Sequence, residues 1–253
     1  MPFAAGLHHL DWEPPGASGP PVLLVHGAGG SHAHWPLALR GLPGRRVIAI
    51  DLPGHGASPA PGLASIGGYA ERVLALADAL ALPAFAVVGH SMGGAVALTL
   101  ALDRPGRLAA LALVGSGARL RVAPTILAAA AAPALSPEDA RAIADRHFAP
   151  AEGGALREEL ARELMACLPG VLHGDYLACD TFDVMERLGA VGAPTLVVSG
   201  AEDRLTPPKY ARHLAERIPG ARLVEIAGAG HLAMREAPSA VAGAIAAWLA
   251  ALP

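Results

Sequence analysis

Charge, aromatic residues and cysteine are all scarce in this 253-residue chain. Charged residues make up 16% and aromatics 4%, against 53% hydrophobic residues. That is the reverse of the composition that leaves a chain disordered. No run of Lys or Arg occurs, the net charge is −3 and the isoelectric point is near 6.4. The electrostatic footprint of a nucleic-acid binder, or of a protein that docks on anionic lipid, is therefore missing. The two cysteines, Cys167 and Cys179, form no CxxC pair and sit beside no metal-type His cluster, so both read as reduced thiols. Mean hydropathy is +0.42, yet the apolar runs are short and Ala-heavy, as in Ile126–Ala132 ended by Pro133. None approaches the roughly 20 residues of a membrane span. Met1–Gly6 has neither the basic segment nor the apolar stretch of a signal peptide, so the expected location is the cytoplasm.

The length suits one large α/β domain or two small ones, and a chain of this size buries roughly 70% or more of its unfolded surface. Short β-branched or Leu-rich runs ended by Gly or Asp recur at Pro21–His26, Arg46–Asp51, Phe85–His90, Ala109–Val114, Thr195–Gly200 and Arg222–Ala227. Continuous apolar runs of this kind are expected of buried parallel strands. A weaker strand is expected at the sheet edge around Leu7–Trp12. Helical patterns fall between the strands at Trp35–Arg40, Ile66–Leu80, Met92–Asp103, Pro208–Arg217 and Pro238–Ala250. Their alternation predicts a doubly wound α/β sheet. From about 118 to 192 no strand run occurs, and Ser136-Pro137-Glu138-Asp139 supplies an N-cap, a first-turn proline and two acids at a helix start. This stretch reads as a helical insertion of roughly 70 residues, able to fold over the carboxyl ends of the strands. Neither a 20–50-residue repeat nor a low-complexity linker is present.

Gly89-His90-Ser91-Met92-Gly93 follows the run Phe85–Val88 directly and opens a helix. A Gly-x-Ser-x-Gly turn at a strand-to-helix junction needs small residues, because the serine takes a strained backbone that lifts its hydroxyl above the sheet. A serine hydroxyl is a weak nucleophile, so it needs a base and a group that orients the base. Asp203 follows the strand at Thr195–Gly200, and His231 follows the one at Arg222–Ala227, giving the order Ser91, Asp203, His231. Glu202 is the neighbouring alternative acid. An anionic tetrahedral intermediate also needs fixed N–H donors. One falls on Met92, the residue after the serine; the other belongs to the loop Val25–Gly30, whose glycines permit close backbone approach. Gly27, Gly29 and His90 are further candidates for contact with substrate. Gly27–Gly30 lacks the Lys-Ser/Thr ending of a phosphate-binding loop. No metal site is indicated, since His173-Gly174-Asp175 stands alone. His8, His9, His32, His34 and His213 read as surface or cap-bonded imidazoles.

His26-Gly27-Ala28-Gly29-Gly30, Asp51-Leu52-Pro53-Gly54-His55-Gly56-Ala57-Ser58, Gly89–Gly94, Gly200–Asp203 and Gly228–His231 together resemble the α/β-hydrolase family. The resemblance implies a mostly parallel eight-stranded sheet flanked by helices, a Ser–Asp–His triad, and oxyanion donors on Ala28 and Met92. It also implies a helical cap at 118–191 after the sixth strand, between core segments 1–117 and 192–253. With about 20 residues ahead of the His26 strand, the first two strands are expected to be short or one to be missing. Ser91 stands where similar dehalogenases and epoxide hydrolases use aspartate. The Gly-Pro-Gly element of ring-cleavage hydrolases is absent from Gly27–Ser31, and Met92 stands where peptidase relatives carry tryptophan.

What remains is a cofactor-free hydrolysis of small to medium apolar carboxylic esters or lactones through a Ser91 acyl-enzyme. A thioesterase, a cofactor-free perhydrolase or a lyase on the same site are alternatives, as is a near-inert ligand-binding receptor. Arg119 and Arg121 could meet a substrate carboxylate, although a solvent-exposed pair is the simpler expectation. His147, His173, Asp175 and Tyr176 have no spacing that places them at the pocket. The expected partner is a small-molecule ester or related acyl substrate, and the oligomeric state stays open.

Overall fold

The computed structural model describes residues 2–152 and 154–252. Its strands are β1 (Phe3–Ala4), β2 (Leu7–Trp12), β3 (Val22–Val25), β4 (Val47–Ile50), β5 (Phe85–His90), β6 (Leu108–Val114), β7 (Thr195–Gly200) and β8 (Arg222–Ile226). They form one eight-stranded sheet in the order β1-β2-β4-β3-β5-β6-β7-β8. β1 and β2 are antiparallel to their neighbours, and the six strands from β4 to β8 are parallel. The N-terminal strands are both present, and β1 is only two residues long.

The helices are α1 (Leu37–Arg40), α2 (Ile66–Ala79), α3 (Met92–Asp103), α4 (Pro124–Ala130), α5 (Pro137–His147), α6 (Gly154–Met165), α7 (Val171–Thr181), α8 (Pro208–Arg217), α9 (Ala233–Glu236) and α10 (Pro238–Ala250). The helix expected over Trp35–Arg40 begins two residues later. Pro36 is extended (ψ 161°) and is the N-cap, while Trp35 is fully buried beneath the sheet. At α5 the expected start is found: Ser136 Oγ accepts the Asp139 N–H at 3.1 Å.

All four residues of β3 and of β4 are buried, as a covered parallel sheet requires. The two-residue period still sorts them: Leu23, Val25, Ile48 and Ile50 pack with α2, α3 and α8, whereas Val22, Leu24, Val47 and Ala49 pack with α1 and α10. Helix α3 is sheathed almost all round, its residues Met92–Leu98 being buried without interruption. Helices α4 to α7 lie in the chain between β6 and β7. Within them α5 and α6 join the second cluster, and α7 contributes Ala178 and Cys179 to the first and Leu172 and Tyr176 to the second. No described helix is long and apolar enough to cross a membrane.

This topology positions the site. From β3 the chain moves to β4 on one side, and from β5 it moves to β6 on the other, so the adjacent strands β3 and β5 are the switch point of the sheet. Open α/β sheets have their ligand crevice outside the carboxyl ends of such strands. The loop after Val25 and the turn after His90 meet there.

Candidate active site

Ser91 sits in the turn between β5 and α3 at φ 52°, ψ −114°, one of three described non-glycine residues with positive φ. The strained backbone is held from several directions. Ser91 N–H donates to Val114 O at 3.0 Å, Ser116 Oγ donates to Ser91 O at 2.8 Å, and Gly94 N–H donates to the same carbonyl at 2.9 Å. Any Cβ on Gly89 would collide with Gly93 O, and one on Gly93 with Val25 O. The motif's glycines are thus required by the closeness of β3, β5 and α3.

The loop after β3 packs on this turn: a Cβ on Gly27 would stand 2.8 Å from His90 Nδ1 and 3.1 Å from Ser91 Cβ. Met92 is the first residue of α3, so its N–H has no intrahelical acceptor. Within the loop, Gly29 N–H donates to Asp175 Oδ2 at 2.8 Å and Gly30 N–H to Gly27 O at 3.1 Å. The N–H of Ala28 meets no acceptor among the described residues, and Ala28 lines the cavity above Ser91.

His231 lies beyond β8 and is buried. Its Nδ1–H donates to Asp203 Oδ2 at 2.9 Å, which leaves Nε2 as the ring's lone-pair nitrogen. Asp203 also accepts the N–H groups of Leu205 and Thr206 on Oδ1, both at 2.8 Å, and Thr206 Oγ1–H on Oδ2 at 2.8 Å. Burial pushes this carboxyl up, but the imidazole beside it and the hydrogen bonds from His231 and Thr206 prevail and hold it below the usual range. Glu202 is exposed. The backbone of His231 is fixed as well: its N–H donates to His147 O at 2.8 Å, and its carbonyl accepts His90 Nε2–H at 3.0 Å. His90 Nδ1 is buried without a partner among the described residues. Burial, then the adjoining His231, holds the His90 imidazole neutral, well below its ordinary pKa.

Ala28, His90, Ser91 and His231 line one cavity of about 250 Å³. Gly27, Gly29 and Met92 are not among its lining residues. Among the described residues Ser91 Oγ makes no hydrogen bond, a common state before substrate binds. Aliphatic side chains from the 118–191 segment, Leu120, Val122, Ile126, Ile143 and Leu160, form much of the wall. His34, His147, Tyr176 and Tyr210 also reach it, and none of these had a sequence signal stronger than a lone polar residue on a helix or turn.

The structure corrects the reading of several histidines as surface groups. His8, His9 and His34 are buried, and His34 Nε2–H donates to Glu163 Oε2 at 3.0 Å while the residue lines the cavity. His8 and His32 converge through Nδ1 on Asp51, at 2.7 and 2.9 Å. These three are close enough to hold a metal ion. Asp51 already accepts the N–H groups of His32 and Ala57 as well, at 2.7 and 2.9 Å, so the cluster is satisfied as a clamp on the loop after β4. Arg119 pairs with Asp183 at 2.6 Å and does not line the cavity, whereas Arg121 does. His173 is not among the lining residues. Both cysteines are free, and burial pushes the Cys167 thiol up to about 12.

Residues 22–244 match the model of the alpha/beta hydrolase family. The chain is 35% identical over 228 residues to RutD of Variovorax paradoxus strain S110, a carbamate hydrolase by name, covering 85% of this chain and 86% of that protein. It is 32% identical over 226 residues to a pimeloyl-(acyl-carrier protein) methyl ester esterase of Neisseria meningitidis, covering 83% of this chain and 86% of that one. Among solved structures it is similar to the enol-lactonase of Burkholderia xenovorans LB400, with TM-score 0.89 and 26% identity over 98% of this chain and 100% of the other.

Proposed function

The chain belongs to the alpha/beta hydrolase family, and from that premise we propose that it is a serine hydrolase of small to medium carboxylic esters or lactones. Its relatives include hydrolases, esterases among them. The observation that carries the finer reading is the shared cavity of Ser91 and His231, with the histidine's Nδ1–H committed to Asp203 at 2.9 Å.

In this reading Ser91 Oγ attacks the ester carbonyl carbon as its proton passes to His231 Nε2. The imidazolium is stabilised by Asp203, which stays ionised. Negative charge develops on the carbonyl oxygen, and the N–H groups of Ala28 and Met92 receive it, each donor lowering the barrier by about 3 kcal/mol. The carbon–oxygen bond to the alcohol then breaks, and the leaving oxygen takes the proton from Nε2. Water, deprotonated by the same nitrogen, attacks the Ser91 acyl-enzyme; the carboxylic acid leaves and Oγ recovers its proton. The 118–191 segment serves as a cap whose aliphatic side chains face the acyl group. No step needs a cofactor.

The test is hydrolysis of p-nitrophenyl esters from acetate to decanoate by the wild type and by Ser91→Ala, with mass spectrometry for a phosphonate adduct on Ser91. Turnover that varies with chain length and disappears in Ser91→Ala is expected. An adduct without turnover would point to a receptor or to a specialised acyl substrate, and failure to label Ser91 would remove it as the nucleophile.

A further inference from the structure

The charge on the cavity wall is one-sided. Arg121, Arg146 and Arg204 line it, and among the described residues no Asp or Glu does. All three arginines are exposed, while Ser91 and His231 below them are half-buried and buried, so the guanidinium groups form the rim. Two nearby acids are claimed by other cations, and a third, Asp180, accepts the Val122 N–H on Oδ1 at 3.0 Å. Asp183 pairs with Arg119 at 2.6 Å, against 3.8 Å to Arg121, and Asp145 pairs with Arg157 at 3.2 Å. Arg121 donates through Nη1 to Asp180 O, and Arg204 through Nη2 to the carbonyls of Asp145 and Phe148. These bonds fix two guanidinium groups at the rim and leave each with further N–H donors. Arg146 has no hydrogen-bond or ion-pair partner among the described residues. His147, which also lines the cavity with its ring 5.3 Å from that of His231, is pushed down to about 3 by burial and then by His231, so it adds no charge at neutral pH.

We propose that this rim is an anion subsite, and that the substrate is an ester or lactone carrying a second, free carboxylate at the end remote from the scissile bond. The proposal rests on the hydrolase reading for the bond broken at Ser91, but not for the recognition itself. Guanidinium groups pair with carboxylates through two parallel N–H donors, which gives orientation as well as affinity. A cavity wall rich in aliphatic side chains, with Ser91 and a set of exposed arginines both lining it, fits an aliphatic chain with an ester at one end and an anion at the other.

Calorimetric titration of Ser91→Ala with monomethyl adipate and with methyl hexanoate reads recognition without chemistry. The half-ester is expected to bind about tenfold more tightly at low salt, with the advantage shrinking at high salt because the arginines are exposed. Adding Arg146→Gln should cut that advantage several-fold, and Arg212→Gln, whose guanidinium pairs with Glu225 at 2.8 Å away from the cavity, should leave it. Equal binding of the two esters, or an advantage insensitive to Arg146→Gln, overturns the proposal. Monomethyl adipate and the corresponding alkyl phosphate distinguish the oxyanion; a stronger grip on the phosphate would overturn the carboxylate assignment. In parallel, kcat/KM for p-nitrophenyl hemiadipate against p-nitrophenyl hexanoate is measured on the Ser91 enzyme. Selective binding without turnover of either ester would sink the hydrolase reading and keep the subsite, whereas turnover without selectivity would do the opposite.

Discussion

Two buried carboxylates reach the serine turn through one intermediary each, and they are built differently. Asp203, in the loop after β7, orients His231 and takes its other donors from Leu205 and Thr206, two and three residues away. Asp175, on α7 of the helical segment, accepts Gly29 N–H and His55 Nε2–H on Oδ2, both at 2.8 Å, and Tyr69 O–H on Oδ1 at 2.5 Å. Its three donors lie 146, 120 and 106 residues away in sequence. Burial pulls the His55 imidazole down, but the Asp175 charge and hydrogen bond prevail and hold it above its ordinary pKa. Burial, and then Asp175, pushes the Tyr69 hydroxyl up. The first carboxylate therefore holds His231, and the second holds the loop that carries Ala28. One belongs to the sheet, the other to the segment laid over it.

Substituting each acid by its amide separates the two roles. Asp203→Asn should give the largest effect, a fall in kcat on the order of ten-thousandfold, because the amide no longer enforces the Nδ1–H tautomer of His231. A fall of less than tenfold would remove Asp203 from the mechanism and direct attention to Glu202. Asp175→Asn is expected to act on both stability and rate. All three of its partners are donors, so the amide NH2 would face one of them. Unfolding free energy should drop by about 3 kcal/mol, the range for breaking a buried ionic pair. With Gly29 N–H released, kcat should fall about 10- to 100-fold with little change in KM. Lost stability with kcat intact would make Asp175 a folding device and nothing more.

The same contrast explains how much of the molecule was legible in its sequence. Continuous apolar runs ended by Gly or Asp marked six of the strands, five of them because a covered parallel strand is apolar on both faces, while β8 lies partly exposed at the sheet edge. Ser91, Asp203 and His231 stood out because each immediately follows such a run, in an order set by the chain. Asp175 had no signal, since its role exists only once α7 packs against two loops and helix α2 of the core. His34, Arg146 and Arg204 were hidden for the same reason, whereas Arg121 stood out with Arg119 as able to meet a substrate carboxylate. A polar residue on a helix of the segment looks alike whether it faces water or the cavity.

Histidines near the site sharpen the comparison through pH. His26, His90 and His147 are each lowered, with burial as the first cause. Below about 6.5 the unfolded chain binds protons at these positions that the native state refuses. Their contribution is present above that pH and is lost as pH falls from about 7 toward 5, by up to about 1.4 kcal/mol per pH unit for each residue. His147 belongs to the segment and His90 to the sheet. Urea unfolding at a series of pH values should show a positive slope over this window, and His147→Gln should flatten it by about one residue's share. An unchanged slope would mean that the unfolding cooperative unit excludes α5.

The smallest expected effect comes from Thr206→Val. Thr206 Oγ1 donates to Asp203 Oδ2 at 2.8 Å and lies 3.2 Å from His231 Nδ1. Valine keeps the β-branch and the backbone N–H that serves Oδ1, and it removes only the hydroxyl. The loss of one donor weakens the hold on the carboxylate by about 1 kcal/mol, so kcat should fall roughly fivefold with KM unchanged. The Asp203 carboxyl should also rise toward its ordinary range, shifting the acid limit of stability upward, because the stabilisation it gives is lost as pH falls through its folded-state pKa. The double variant with Asp203→Asn is decisive. If the hydroxyl acts only through the carboxylate, Thr206→Val should cost nothing further once Asp203 is gone. A second, additive fivefold loss would instead mean that Thr206 acts on His231 directly.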